Sequence, residues 1–293
     1  MIVITAPTGQ IGRNVVRELA KLGASARLVA RDASKLDPDV RARFEVVEGS
    51  HGDSAVLDRA LEGADALFWL VPPNAALTLE QAYLDFTRPV VEAARKHQVR
   101  RIVSVTALGR GTRWAHEAGL VSASIAMDDL LMSAGSGFRG MAMPSFMDNV
   151  ARQAAAIREK GLFFGPIDGD VRLPATATSD MGVVGAQLLD DATWSGQEEV
   201  AVLGPEDLSN LEMAEIMSQV LGRSIRYQQI PYASFKQQFL DRGASESFAQ
   251  GYVDMYRAKE EGMDAAGAKR AAIRTSTDFR TWVERVLKPV VLA

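Results

Sequence analysis

The chain has 293 residues, of which 47% are hydrophobic and 24% charged, with a net charge of −4 and no cysteine. This composition is typical of a globular protein, and the weakly acidic charge argues against nucleic-acid or anionic-membrane partners. Without cysteine the chain cannot form disulfides or cysteine-based zinc sites, and three widely spaced histidines argue against any metal site. The N-terminus lacks a leader pattern, and no apolar run reaches the ~18 residues of a membrane span, so we expect a cytoplasmic protein.

Short apolar runs alternate with helical patterns through the first 160 residues. The predicted strands are residues 2–5, 26–30, 44–48, 66–70, 101–105 and 139–143. The predicted helices are residues 10–22, 54–62, 78–97, 116–133 and 146–160. Continuous apolar strands separated by helices indicate a parallel sheet that is buried on both faces. The pattern therefore predicts an α/β fold with a doubly wound parallel Rossmann sheet.

The pattern loosens after about residue 160, where glycine and proline become frequent. Strands are predicted near 171–173 and 199–203, with helices near 179–190, 209–221, 233–241, 245–260 and 278–287. We interpret residues 1–160 as an NADP-binding domain and residues 161–293 as a smaller, mostly helical C-terminal substrate lobe. A segment at about 175–205 is expected to return to the first domain. The alanine-rich stretch Ala265–Ala272, with Lys269 and Arg270, is predicted to form a surface helix.

A glycine turn joins the first strand to the first helix. The turn contains Thr8, Gly9, Gln10, Ile11 and Gly12. Gly9 would let the backbone approach a pyrophosphate, Gly12 would let the helix pack close to the strand, and the helix N-terminus supplies free N–H donors. Ala6 replaces the first glycine of the usual motif, and because Pro7 follows it we expect Ala6 to be extended. A structural turn that binds nothing is the alternative interpretation.

The residues after the second strand indicate which dinucleotide binds. A carboxylate there would hold the adenosine ribose of NAD, whereas a cation would bind the 2′-phosphate of NADP. The sequence has Arg31 at this point, with Lys35 one turn later, and so favours NADP(H) over NAD(H). Asp32 could pair with Arg31 or face the ribose itself, and Arg31 could also be a solvated loop charge.

Several short segments along the chain resemble the NmrA-like family of atypical short-chain dehydrogenases/reductases, in the branch of NAD(P)H:quinone oxidoreductase type 2 and azoreductases. They are Thr8–Arg13, Val29–Asp32, Leu70–Pro73, Pro144–Asn149, Leu203–Ser209, Ala214–Ile216, Gly222–Arg223 and Tyr227. The resemblance implies an NADPH cofactor lying across the carboxyl ends of the strands, with a second ligand between the sheet and the C-terminal lobe. It also implies that Val71 and Pro72 line the ribose and nicotinamide, and that Ser145 and Phe146 cover the nicotinamide.

The chain departs from the family pattern in three places. Ala6 replaces a glycine, Gly49 is followed by Ser50 and His51 instead of aspartate, and Ser124 stands where relatives often carry lysine. Standard short-chain dehydrogenases use a tyrosine whose pKa is lowered by a lysine four residues later. Only Tyr232 and Lys236 have that spacing, and they lie too far beyond the fifth strand, so we interpret the match as chance.

The catalytic group is therefore unknown from the sequence, with Thr106, His116 and Asn149 as weak candidates. Thr106 could equally be a satisfied strand-end hydroxyl, His116 a solvent-facing helix residue, and Asn149 a helix cap. Ser104, at the end of the fifth strand, could hydrogen-bond the cofactor. The paired acids Asp128–Asp129 and Asp190–Asp191 are interpreted as solvated charge. The predicted substrate-binding residues are Pro73, Asn74, Trp114, Phe146, Asn149 and Tyr252.

These observations favour an NADPH-dependent oxidoreductase that transfers hydride to a small electron-poor acceptor such as a quinone, azo compound or enone. Such acceptors take hydride directly, so that water or a weak donor can supply the proton. A non-catalytic NADP(H)-sensing regulator is one alternative, and a tailoring reductase or isomerase of a biosynthetic pathway is another. We expect a small-molecule substrate, no nucleic-acid or membrane partner, and a monomer or homodimer.

Overall fold

The computed structural model describes residues 1–268 and 272–293. Through the first 160 residues its strands are β1 (Ile2–Thr5), β2 (Ala26–Ala30), β3 (Glu45–Glu48), β4 (Ala66–Trp69), β5 (Arg101–Ala107), β6 (Gly137–Met143) and β7 (Ser145–Phe146). Its helices are α1 (Gln10–Leu22), α2 (Pro38–Arg43), α3 (Ser54–Leu61), α4 (Phe86–Lys96), α5 (Leu120–Met132), α6 (Asp148–Ala151) and α7 (Ala154–Lys160). A π-helical turn, Glu80–Asp85, leads directly into α4.

The rest of the described chain mixes short strands with helices. The strands are β8 (Leu162–Gly165), β9 (Leu173–Thr176), β10 (Gln197–Leu203), β11 (Asp207–Leu208), β12 (Arg226–Gln229) and β13 (Ala272–Arg274). The helices are α8 (Thr178–Asp190), α9 (Asn210–Leu221), α10 (Tyr232–Leu240), α11 (Glu246–Glu260), α12 (Met263–Gly267), α13 (Phe279–Trp282) and α14 (Lys288–Leu292), with a π-helical turn, Val283–Leu287, before α14.

One large sheet organises the fold. Its eight strands follow the order β13-β10-β6-β5-β4-β1-β2-β3, and all of its pairs are parallel. The strand order reverses between β1 and β4, and helices cover both faces, which is the doubly wound architecture expected from the sequence. β1 and β4 are buried along their whole length, in agreement with their uninterrupted apolar sequences.

Glycine allows two helices to pack closely on one face of this sheet. A Cβ atom on Gly182 of α8 would lie 2.8 Å from the backbone carbon of Asn14 on α1, and one on Gly185 would lie 3.1 Å from Val15. Both distances are shorter than normal van der Waals contacts, so larger residues would push the helices apart. Because β10 pairs with β6 and α8 packs on α1, part of the chain after residue 160 belongs to the same sheet and helix layer as the first 160 residues. The domain boundary at residue 160 stays a prediction.

The sequence-based prediction was wrong for two of the predicted helices, residues 146–160 and Ala265–Ala272. Residues 146–160 do not form one helix, because Phe146 pairs with β9 and the helical stretch is interrupted between Ala151, where α6 ends, and Ala154, where α7 begins. The predicted surface helix Ala265–Ala272 is shorter and begins earlier, since α12 ends at Gly267 and Ala272 starts strand β13. Lys269 and Arg270 lie outside the described residues. Within the described chain, no helix combines the length and apolar character that crossing a bilayer requires.

Candidate active site

The turn between β1 and α1 leaves the first backbone donors of the helix without a side-chain partner. Gly9 is the N-cap residue of α1, and no side chain forms a capping hydrogen bond there. The Gly9 N–H donates to the Ala6 carbonyl at 3.1 Å, which closes the turn tightly. Free N–H groups and the positive end of the helix dipole together favour a phosphate at this position.

Ala6 and Gly12 are in direct backbone contact inside this turn. A Cβ atom on Gly12 would lie 2.9 Å from the carbonyl carbon of Ala6 and closer still to its oxygen. The expectation that Ala6 is extended was wrong, because its φ is +49°, in the left-handed region. This conformation turns the Ala6 carbonyl toward Gly9 while Gly12 lies against it. The result is a compact concave backbone loop, which fits a pyrophosphate.

Arg31 and Lys35 are both exposed after β2, where a 2′-phosphate would lie. Asp32 accepts hydrogen bonds from the Ser34 N–H at 2.9 Å and the Ser34 hydroxyl at 2.6 Å. Its carboxylate is therefore used to cap the short turn that follows, and it lies 4.0 Å from Lys35. The positive charge of Arg31 acts on His51, which follows β3.

His51 is a buried residue that sequence reasoning recorded only as a departure from the family pattern. Its Nε2 lies 3.1 Å from the carbonyl oxygen of Leu70, and its ring meets Trp69 and Phe86 edge-on at 5.4 and 5.0 Å. Burial lowers the pKa of His51 to about 4, and the charge of Arg31 adds to that effect. At neutral pH it is therefore an uncharged ring beside the end of β4.

The ends of β4, β5 and β6 meet at one edge of the sheet. Ala107 at the end of β5 pairs with Met143 at the end of β6, whereas Trp69 at the end of β4 pairs with Ser104, three residues before β5 ends. Val71 is buried and Pro72 exposed after β4, while Ser145 and Phe146 are half-buried after β6. The residues expected to line the ribose and nicotinamide thus all follow strands that end at this edge of the sheet. Their contacts with a cofactor stay a prediction.

The hydroxyls at the end of β5 face helix α5 and not the open edge. Ser104 donates to Asp128 at 2.8 Å, and Thr106 donates to Ser124 at 3.2 Å. Ser124, which stands in place of the family's lysine, donates in turn to the Val121 carbonyl at 2.8 Å. Both strand-end hydroxyls are therefore engaged inside the protein, and a direct contact of Ser104 or Thr106 with a ligand stays a prediction.

Asp128 corrects the interpretation of Asp128–Asp129 as solvated charge. Asp129 is exposed, but Asp128 is fully buried on the inner face of α5. Burial raises the pKa of Asp128 to about 8, and the nearby carboxylate of Glu199 on β10 raises it further, whereas the hydrogen bond from Ser104 opposes the rise. Gly140 of β6 makes the space for both acids, because a Cβ atom there would lie 3.1 Å from Asp128 Oδ2.

The start of helix α11 contacts the segment after β4. The Ser245 hydroxyl donates to the Leu77 carbonyl at 2.7 Å, and the Ser245 N–H donates to the Ala75 carbonyl at 2.8 Å. Further along α11, Gly251 touches the backbone before α5, since a Cβ atom on Gly119 would lie 2.5 Å from the Gly251 Cα. The C-terminal lobe is thereby held against the open edge of the sheet.

The remaining predicted residues lie around this edge in different environments. Asn74 accepts from the Ala76 N–H at 3.1 Å, and Trp114 donates to Glu261 at 2.9 Å. Pro73 and Asn149 are half-buried, with Asn149 inside α6. His116 is exposed in the turns before α5. Tyr252 is half-buried on α11 and stacks on Phe239, with 4.2 Å between ring centroids.

Tyr232 and Lys236 lie on α10, far from β5 along the chain, and have partners within the C-terminal lobe. The Tyr232 hydroxyl donates to Glu260 at 2.9 Å, and Lys236 pairs with Glu246 and donates to Gln250 at 2.7 Å. Within the described residues, no group of three or more histidine, aspartate or glutamate side chains is arranged to hold a metal ion.

Comparisons with known proteins point to a single family. Residues 7–163 match a family model described as NAD(P)H-binding, and residues 132–282 match the NmrA-like family. An NAD(P)H azoreductase of Xenophilus azovorans is 29% identical over 266 residues, covering 87% of this chain and 86% of the relative. A (4-alkanoyl-5-oxo-2,5-dihydrofuran-3-yl)methyl phosphate reductase of Streptomyces griseus is 30% identical over 231 residues, covering 78% and 77%. The solved NADPH-dependent quinone oxidoreductase of Escherichia coli, complexed with NADPH, superposes with a TM-score of 0.77 at 21% identity, covering 98% and 99%.

Proposed function

We propose that this chain, which belongs to the NmrA-like family of NAD(P)H-binding proteins, is an NAD(P)H-dependent oxidoreductase that reduces a flat, electron-poor small molecule. The observation that carries the proposal is the turn at Ala6–Gly12, a backbone cradle that opens onto the same sheet edge as Pro72 and Phe146. The quinone, azo and dihydrofuran compounds in the names of the similar proteins share an electron-poor π system.

NADP(H) is the proposed cofactor, in preference to NAD(H). Thr8–Gly12 would hold the pyrophosphate through backbone N–H groups, and Arg31 with Lys35 would bind the 2′-phosphate. Asp32 does not compete for the ribose in this arrangement, because its carboxylate accepts from Ser34. When bound, the reduced nicotinamide supplies a hydride.

The chain's own residues would position the acceptor and keep water away from it. Phe146 offers a half-buried aromatic face after β6, and the segment after β4 that α11 contacts would form a second wall. An electron-poor acceptor suits this site because it accepts hydride directly and does not require a tyrosine–lysine pair on α5. We therefore propose quinones, azo compounds or enones as the acceptor class.

The test is to mix the protein with NADPH and a panel of quinones, azo dyes and enones, and to follow the absorbance of the reduced nicotinamide. We expect consumption with at least one class, and loss of consumption in Gly9→Val, whose side chain would fill the pyrophosphate approach. Tight NADPH binding without consumption across the whole panel would refute the enzyme and favour the sensing regulator.

A biosynthetic reductase is the second candidate, because the Streptomyces griseus relative reaches 30% identity and carries such an activity in its name. It predicts a strong preference for an enone over both quinones and azo dyes in the same panel. The expectation of a cytoplasmic monomer or homodimer stays a prediction.

A further inference from the structure

The phenol of Tyr252 lies where three separate elements meet. Tyr252 acts electrostatically on Tyr83, on the π-helical turn that follows β4, and Arg152, just after α6, acts electrostatically on Tyr252. The elements carrying Tyr83 and Arg152 continue from β4 and β6, and β5 lies between these strands in the sheet. Gly251, the residue before Tyr252 on α11, contacts Gly119 in the segment between β5 and α5, so Tyr252 lies near the carboxyl end of β5. In a doubly wound sheet this is the half where the second half of a dinucleotide binds.

Arg152 brings an uncompensated positive charge to this junction. No carboxylate of the described residues forms an ion pair with it, and its charge acts on the phenols of Tyr252 and Tyr256. Burial raises the pKa of Tyr252, whereas the charge of Arg152 and its hydrogen bond act in the opposite direction. Tyr252 is thus protonated at neutral pH but stands beside a cation that stabilises its anion.

Aromatic neighbours fix the ring of Tyr252. Phe239 stacks on it with 15° between the planes, and Phe248 meets it at 5.6 Å. The ring is nevertheless half-buried and not sealed. A rigid phenol that is partly accessible in a crowded setting has the properties of a hydrogen-bond donor to a ligand.

We propose that Tyr252, supported by Arg152, donates the proton that completes reduction of the acceptor, whose oxygen or nitrogen becomes anionic as it gains hydride. This inference rests on the proposed oxidoreductase function. The acceptor gains one hydride on one atom and one proton on the other, its π bond is reduced by two electrons, and the Tyr252 Oη–H bond breaks. The phenolate is held by Arg152 until water returns a proton.

The pair takes the place of the tyrosine and lysine that α5 lacks. Sequence reasoning searched for a tyrosine with a lysine four residues later, and such spacing depends on one helix. Tyr252 and Arg152 lie on two different elements, 100 positions apart in the numbering, so no local motif connects them. Tyr252 is a catalytic residue under this proposal because it touches the acceptor, and Arg152 is a positioning residue.

The test compares Tyr252→Phe with Tyr256→Phe, which removes a phenol one turn further along the same helix. In Tyr252→Phe we expect kcat to fall about 100-fold while NADPH affinity and melting temperature stay near wild type. We expect the kcat of Tyr256→Phe to stay within about threefold of wild type, a smaller change than the loss of a hydrogen bond to a charged group would cause. Arg152→Gln should lower kcat, and Arg152→Lys should restore part of it. Wild-type kcat should fall at high pH, where Tyr252 loses its proton, and this fall should be absent in Tyr252→Phe.

Binding gives a readout that does not depend on turnover. An anionic hydroxynaphthoquinone should bind the wild type, and we expect its affinity to fall about tenfold in Tyr252→Phe and in Arg152→Gln. Unchanged kcat and probe affinity in Tyr252→Phe would overturn the inference and leave the oxidoreductase standing. Equal losses in Tyr256→Phe would also overturn it. Probe binding through Tyr252 and Arg152 without NADPH consumption would overturn the oxidoreductase and retain the site.

Discussion

The nucleotide side and the acceptor side of this molecule are built in different ways. The nucleotide side depends on one continuous stretch, from β1 through the turn into α1, and its proposed ligand contacts come mainly from backbone groups. The acceptor side combines the segments after β4 and β6 with helix α11, which are distant in sequence. A local motif can be recognised from its spacing, whereas a site assembled by tertiary contacts cannot. This difference explains why the cofactor was easier to infer than the chemistry.

The most disruptive expected change is Gly12→Ala on the nucleotide side. Its new methyl group would overlap the Ala6 carbonyl, so we expect the free energy of unfolding to fall by about 3 kcal/mol and NADPH binding to be lost. Gly9→Ala is the matched control, since its Cβ would lie at an ordinary 3.4 Å from the Ala6 oxygen. Denaturant unfolding measures the stability of both variants, and an NADPH titration measures their binding. Equal stability of Gly12→Ala and Gly9→Ala would contradict a turn that is determined by backbone contact.

Asp128, buried between α5 and the sheet, provides a test through pH. Its pKa is raised to about 8, so the folded protein binds more protons than the unfolded chain between pH 4 and 8, and this group makes stability fall as pH rises. We expect Asp128→Asn to be more stable than wild type by about 3 kcal/mol at pH 8 and by far less at pH 5. Unfolding at several pH values measures this, with Asp129→Asn as the exposed control. A constant difference across the range would contradict a buried neutral acid.

Arg31→Ala tests whether the nucleotide side prefers NADPH to NADH. A charge-assisted contact with the 2′-phosphate contributes about 1.5–3 kcal/mol, so NADPH affinity should fall tenfold or more. NADH affinity should hardly change, because that cofactor lacks the phosphate. Titration of both cofactors against wild type, Arg31→Ala and Lys35→Ala would measure this. Equal losses for NADPH and NADH would contradict the NADP assignment.

The smallest expected effect is a gain. Ala6 has a φ of +49°, which an alanine adopts at a cost and a glycine without one. We therefore expect Ala6→Gly to raise the free energy of unfolding by about 1 kcal/mol, and to bind NADPH at least as well. A melting-temperature measurement is sufficient, and a loss of stability would mean that the Ala6 methyl group contributes packing that outweighs its strain.

Prediction from sequence was accurate where hydrophobic periodicity and helix-ending residues determine the structure locally. The bounds of α1 were predicted correctly because amphipathic spacing ends at Gly23, which adopts the left-handed C-cap conformation. Prediction failed where distant partners decide the structure. Asp128 resembled a surface acid because only the fold reveals that Ser104 and Gly140 face it. Phe146 lies in a strand and not in the predicted helix, because β9 pairs with it. The phenol–guanidinium pair at Tyr252 and Arg152 has no sequence signal of its own.

The contact between Gly119 and Gly251 has a consequence for the evolution and engineering of acceptor preference. Two backbones meet there without any side chain between them, so α11 has no adjustable spacer with which to shift over the sheet edge. Changes in acceptor size must then come from side chains that face the opening, such as Phe146 and Tyr252, and not from repositioning the helix. Libraries that vary those residues and keep both glycines should yield altered selectivity in folded proteins, whereas libraries that vary the glycines should yield mostly unfolded ones.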